Sequence, residues 1–136
     1  MVYVDTQSIV YSVERHPDYA PLLRPLWQSA VQRTLEVITS ELTLMEVLVK
    51  PIRSRDLKLQ ADYDRMLLGR EIQLVPITQS LLREGARLRA ETGSLRKPDA
   101  LHAATAMLGR CVQFITNDLG FRQVPGLPVV LLRDLL

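Results

Sequence analysis

Residues Val2–Ser8 read VYVDTQS, an apolar run that stops at an aspartate just before helical spacing begins. Val2, Tyr3 and Val4 have the character of a short buried strand. Ser8 to Arg15 then carries a helical pattern, broken by the loop HPDYAP. Asp5 therefore stands where apolar residues on both sides mark the core. A carboxylate there is costly unless something partners it.

The same alternation runs outward from this stretch. LEVITS, IQLVPIT, CVQFIT and LPVVLL read as four further strands. Helical spacing separates them. Leu22 to Arg33 is helical, with Pro21 suited to a helix start and Pro25 arguing for a later one. Glu41 to Lys50 is a helix closed by Pro51, and Arg53 to Leu68 is another, with Gly69 at its C-cap. Gln79 to Glu91 and the alanine-rich Pro98 to Leu108 complete the set. Short apolar strands separated by helices predict βαβ units and a parallel sheet. Their near-continuous hydrophobicity predicts that both faces are covered. The expected fold class is α/β, a three-layer α/β/α arrangement on a central parallel sheet, with residues 1–136 forming one domain. Strand order is left open.

Composition narrows the classes. Of 136 residues, 47% are hydrophobic and 24% charged, enough apolar material for a core and too little bias for disorder. A net charge of +2 permits a polyanionic partner without demanding one. Cys111 is the only cysteine, so there is no internal disulfide and no zinc spacing. A reducing cytoplasm is the expected setting. Strand-like sequence follows Met1 directly, so no signal peptide is expected, and no apolar run is long enough for a membrane span.

In such a sheet, ligands bind beyond the carboxyl ends of the strands. Four acids fall at that rim. Asp5 ends the first strand and Asp118, in FITND, follows the fourth. Asp99, in KPDALHAATA, lies in the first turn of a helix. Glu46, in SELTLMEV, sits one to two turns into the helix after the second strand, at about 1.5 Å per residue. Each also has a plainer reading. Asp5 suits a helix N-cap accepting from N–H groups near Gln7 or Ser8, Asp118 a turn or cap, and Asp99 a favourable helix dipole. Glu46 resists this, because its helix is otherwise mostly apolar. If the four converge they repel one another, and a cation among them resolves the conflict. An all-oxygen donor set without Cys or His favours Mg²⁺ or Mn²⁺ and suits phosphoryl transfer.

At these residues the chain resembles the PIN domain family and, within it, the VapC toxins of prokaryotic toxin–antitoxin pairs. VYVDTQSIV resembles the family's opening strand, ITSELTLMEVLVKP its second motif, KPDALHAATA its third, and FITNDLGFRQVPGLPVVLL its fourth motif and last strand. The resemblance covers nearly the whole chain, through the order and spacing of motifs that are individually weak. It implies a PIN-like domain acting as a metal-dependent endoribonuclease. Asp5, Glu46, Asp99 and Asp118 would hold one or two Mg²⁺ or Mn²⁺ ions, and an activated water would cleave an RNA phosphodiester. Thr6, Thr116 and the adjoining Asn117 would orient those carboxylates. The implied partners are RNA, a small VapB-like antitoxin covering the groove, and a second copy in a homodimer. Gln7 departs from the family, which commonly has a small residue there, and would narrow the entrance.

Other residues are weaker candidates. Arg96 and Lys97 oppose the dipole of the helix they precede, and contact with RNA phosphate would explain them. His102, one turn from Asp99, reads as a packing or hydrogen-bonding residue able to approach the site. Trp27, Tyr11, Tyr19 and Tyr63 read as core or interface, and His16 has no readable partner. Two other classes compete. A phosphatase-like or receiver-like domain would use Asp5 as a nucleophile, but VDTQS lacks the second aspartate such a phosphatase needs. A non-catalytic RNA- or protein-binding module would use the basic face, and four intact acids argue against it, since a pure RNA binder gains nothing from an acidic pocket.

Overall fold

The computed structural model describes every residue from Met1 to Leu136. In chain order it runs β1 (Val2–Val4), α1 (Thr6–Val13), α2 (Ala20–Val31), β2 (Val37–Ser40), α3 (Leu42–Arg53), α4 (Leu57–Leu67), β3 (Ile72–Val75), α5 (Gln79–Glu91), α6 (Lys97–Leu108), β4 (Gln113–Thr116) and β5 (Val129–Leu131). Single 3₁₀ segments lie at Leu119–Gln123 and Leu132–Leu135.

The five strands form one all-parallel sheet in the order β3-β2-β1-β4-β5. The chain winds outward from β1 through β2 to β3, then crosses back to lay β4 against the other edge of β1. Tyr3 is thus in register with Ile38 on one side and Phe114 on the other. The reversal between β1 and β4 is a topological switch point, where the connections diverge and leave a crevice at the carboxyl ends.

Alternation along β1 divides the core. Val2 and Val4 pack with Ile9, Leu23, Val47, Tyr63 and Leu67, beneath α1 to α4. Tyr3 points the other way, into a cluster with Leu81, Leu88, Ala103 and Phe114 under α5 and α6. Helices therefore cover both faces, giving the expected α/β/α layers. Tyr3 stacks on Phe114 at 4.9 Å, and Phe114 meets Phe121 at 4.6 Å. Such pairs add about 0.5–1.5 kcal/mol beyond the area they bury. No helix is long and apolar enough to cross a membrane.

Several boundaries differ from the sequence reading. Helix α3 does not close at Pro51 but runs through it to Arg53. In the last turn, Pro51 forfeits only the bond to the Val47 carbonyl, and its own carbonyl accepts from Asp56 at 2.8 Å. Helix α2 starts at Ala20 and carries Pro25 inside it, where the lost bond would have gone to Pro21. Helix α4 begins at Leu57, not Arg53, because the Asp56 side chain caps it by accepting from Leu59 N at 3.0 Å. Its C-cap is Leu68, not Gly69.

Four helices end on an arginine in the left-handed region: Arg15, Arg33, Arg55 and Arg110, with φ of 57°, 59°, 56° and 55°. After each, the next N–H reaches back into the helix: His16 to Tyr11, Thr34 to Ser29, Asp56 to Pro51 and Cys111 to Ala106. This is the closure that glycine usually makes.

Candidate active site

The crevice at the switch point is an open cleft of about 470 Å³, and all four acids line it: Asp5, Glu46, Asp99 and Asp118. They come from four different elements. Asp5 leaves β1 and caps α1, Glu46 stands on α3, Asp99 lies in the first turn of α6, and Asp118 follows β4 and caps the first 3₁₀ segment.

Asp5 is only 6% exposed. Its Oδ1 accepts from Ser8 N at 2.9 Å and Ser8 Oγ at 2.8 Å, and its Oδ2 accepts from Thr116 Oγ1 at 2.5 Å. Burial pushes this carboxyl above the ordinary aspartate range, and the hydrogen bonds from Thr116 and Ser8 recover only part of the cost. Thr116 has a second task, because its Oγ1 also accepts from the backbone N–H of Asp118 at 2.9 Å. One hydroxyl thus ties the two aspartates of neighbouring strands together. Asp118 Oδ1 accepts from Gly120 N at 2.8 Å.

Across the cleft, Glu46 Oε1 accepts from Thr6 Oγ1 and His102 Nε2, each at 2.7 Å. Its side chain is 30% exposed. Burial opposes ionisation, but hydrogen bonds from His102 and Thr6, with the charge of Arg96 nearby, outweigh it and hold the carboxyl below its ordinary range. Asp99 Oδ2 pairs with Arg96 Nε at 3.1 Å.

Every acid therefore keeps unused oxygen capacity. Oε2 of Glu46, Oδ1 of Asp99 and Oδ2 of Asp118 take no hydrogen bond, and Oδ2 of Asp5 takes one. As the side chains lie, no three of them close into a metal-ligating cluster. Each carboxylate instead faces its own donor.

The remaining expected residues are placed as follows. Thr6 and Thr116 each donate to an acid. Asn117 lines the cleft but bonds no acid: its Oδ1 accepts from Arg133 N at 2.8 Å, and its backbone carbonyl from the Arg133 guanidinium at 2.5 Å. Arg96 lines the cleft, whereas Lys97 does not. Gln7 is exposed at the mouth. Sequence reasoning missed Arg133 and Ser8. Both had a signal: Arg133 lies just past the carboxyl end of β5, and Ser8 sits three residues after the cap, where a hydroxyl can return to Asp5.

Comparison with known proteins agrees with this fold. The chain is similar to VapBC2 from Rickettsia felis, solved with a promoter DNA fragment, at TM-score 0.74 and 20% identity over 96% of this chain and 98% of that one. It is similar to a toxin–antitoxin complex from Klebsiella pneumoniae at TM-score 0.71 and 26% identity, covering 97% and 98%. VapBC-1 from nontypeable Haemophilus influenzae superposes at TM-score 0.70 with 16% identity, covering 98% and 99%. No curated protein matches the chain. Residues 2–127 match the sequence profile of the PIN domain. That span takes in four of the five strands and all six α-helices, so the chain belongs to the PIN domain family.

Proposed function

We propose that the chain is the nuclease toxin of a toxin–antitoxin pair and acts as a metal-dependent endoribonuclease. The observation that carries this reading is the cleft itself: four acids from four elements, each with oxygen capacity to spare, at the switch point of a parallel sheet. Membership of the PIN family and likeness to chains from toxin–antitoxin complexes support it.

The donor set fits a hard divalent ion. The only histidine at the cleft, His102, has both ring nitrogens engaged, Nδ1 with Tyr3 and Nε2 with Glu46. Carboxylate oxygens are what remain, and they favour Mg²⁺ or Mn²⁺ over zinc. Asp5, Glu46, Asp99 and Asp118 would hold the ion. When bound, such an ion polarises the scissile phosphate and makes a coordinated water more acidic.

The chain's own residues do the rest. Thr116 holds Asp5 and the Asp118 backbone in fixed relation, while Thr6 and His102 hold Glu46. Arg96 lines the cleft and has guanidinium donors beyond the Nε given to Asp99, so it would meet an RNA phosphate there. Arg133, which also lines the cleft, has guanidinium donors beyond the one given to Asn117. A cytoplasmic location, a homodimer and a small VapB-like antitoxin complete the proposal.

The test is cleavage of labelled structured RNA by antitoxin-free protein with Mg²⁺ or Mn²⁺ against EDTA, beside Asp118→Asn. Metal-dependent cleavage lost in the variant supports the reading. Equal cleavage by both proteins, or none together with no metal binding, sinks it, and the latter favours a binding module.

A further inference from the structure

We infer that Tyr3 and His102 form a positioning pair that presents Glu46 to the metal, an inference that rests on the metal-site reading above.

His102 is 3% exposed and Tyr3 is fully buried, yet neither is simply apolar packing. Tyr3 Oη lies 2.5 Å from His102 Nδ1 and accepts from Ser40 N at 3.1 Å. His102 Nε2 lies 2.7 Å from Glu46 Oε1. The line from backbone amide to phenol to imidazole to carboxylate joins β2, β1, α6 and α3.

The proton positions follow from the partners. A carboxylate oxygen is an acceptor, so a bare Nε2 facing it at 2.7 Å would set acceptor against acceptor. Nε2 therefore carries a proton. The phenol matches this arrangement. Ser40 N already donates to its oxygen at 3.1 Å, and Nδ1 of His102 lies within hydrogen-bond reach of the same oxygen. Its own proton is thus available to Nδ1, which holds the ring in the Nε2–H form.

The consequence falls on Glu46. A carboxylate oxygen has two acceptor sites, and Oε1 has two donors, Thr6 from α1 and His102 from α6. Oε1 is saturated and Oε2 is left for the ion. A glutamate has three side-chain torsions to fix, one more than the aspartates opposite, and it stands on a helix rather than at a strand end. It is the acid that most needs external support. Groups behind a metal ligand typically change affinity or activity about 10–100-fold when removed.

A purely structural histidine would alter the melting temperature and leave metal affinity alone. The test is therefore calorimetric titration of Mn²⁺ into the full chain, with melting curves on the same samples. His102→Ala should weaken Mn²⁺ binding about 10–100-fold. His102→Gln, whose amide N–H can reach the place of Nε2–H, should restore much of it. Tyr3→Phe, which keeps the ring stack on Phe114, should weaken binding less than His102→Ala does. Wild-type affinity in folded His102→Gln, Tyr3→Phe and His102→Ala overturns the pair while leaving the metal site standing. A wild type that takes up no Mn²⁺ overturns the metal reading and the pair with it. Nitrogen-15 spectra of the imidazole give a metal-free check, with His102→Gln assigning the signal against His16. A bare Nε2 with a proton on Nδ1 would contradict the inference directly.

Discussion

The two walls of the acidic cleft are held by different means. On the Asp5 and Asp118 wall, most hydrogen bonds span two or three residues: Ser8 to Asp5, Gly120 to Asp118, and Asp118 N to Thr116. The one long-range bond to a carboxylate on that wall, Thr116 to Asp5, crosses between strands already paired by the sheet. On the Glu46 wall, every support is long-range in sequence. Thr6 is 40 residues away and His102 is 56 away, and Tyr3 is 99 from His102. One wall is positioned by rigid backbone, the other by side chains that meet only after α1, α3 and α6 have packed. A glutamate has one more side-chain torsion to fix than an aspartate, so Glu46 depends most on its neighbours.

The largest predicted effect is common to both walls. Replacing an acid, by Asp5→Asn or Asp118→Asn, should lower metal-dependent RNA cleavage by more than about 100-fold, beyond what groups behind a ligand usually cost. Steady-state cleavage rates in Mn²⁺ check this. Near-normal rates in either variant would remove that acid from the site.

The comparison sharpens one step further out. Thr116→Val removes a hydroxyl that serves both aspartates, and Thr6→Val removes one of two donors to Glu46. Thr116→Val should cost about 10–100-fold in metal affinity and Thr6→Val less, because His102 still holds Oε1. The reverse order, read by Mn²⁺ titration, would mean that the Thr116 hydroxyl is not what ties the two aspartates together.

A third effect is on stability. Burial raises the Asp5 carboxyl above its ordinary 3.8, so the native state holds that proton more tightly than the unfolded chain. Stability then falls as pH climbs from the ordinary value through the raised one, and stays lower above it. Asp5→Asn cannot ionise. In EDTA at neutral pH it should exceed wild type by about 0.5–2 kcal/mol, with the gain disappearing below the ordinary aspartate value. Urea melts at two pH values decide this. A variant less stable than wild type at neutral pH would mean that the bonds from Ser8 and Thr116 outweigh burial.

The smallest effect lies away from both walls. Arg33 ends α2 at φ 59°, and Arg33→Gly should raise stability by about 0.5–1 kcal/mol without changing metal affinity. A change in affinity there would mean that the cleft is sensitive to helix ends far from it.

The same contrast explains what the sequence revealed. Asp5 and Asp118 were legible because their signals are local: an acid at a strand end, with helical or turn sequence immediately after. Both act as the caps that local reasoning allowed, and both also line the cleft. Asp99 was legible as a first-turn acid. Glu46 stood out as an acid on an apolar helix, but its partners were not legible. Nothing local links Tyr3, His102 and Glu46, and their meeting depends on a strand order that one sequence does not carry. Pro51 misled for a related reason. A proline breaks the middle of a helix, but in the last turn it loses a single bond, and Asp56 was free to cap a next helix that starts four residues later than expected.

The most direct measurement is anomalous diffraction from crystals of the protein soaked in Mn²⁺. The account predicts a peak between Asp5, Glu46, Asp99 and Asp118, with Asp99 turned away from Arg96 and Glu46 still held through Oε1 by His102. A peak elsewhere, or no peak in a cleft open to solvent, would contradict the claim that these four acids form one metal site.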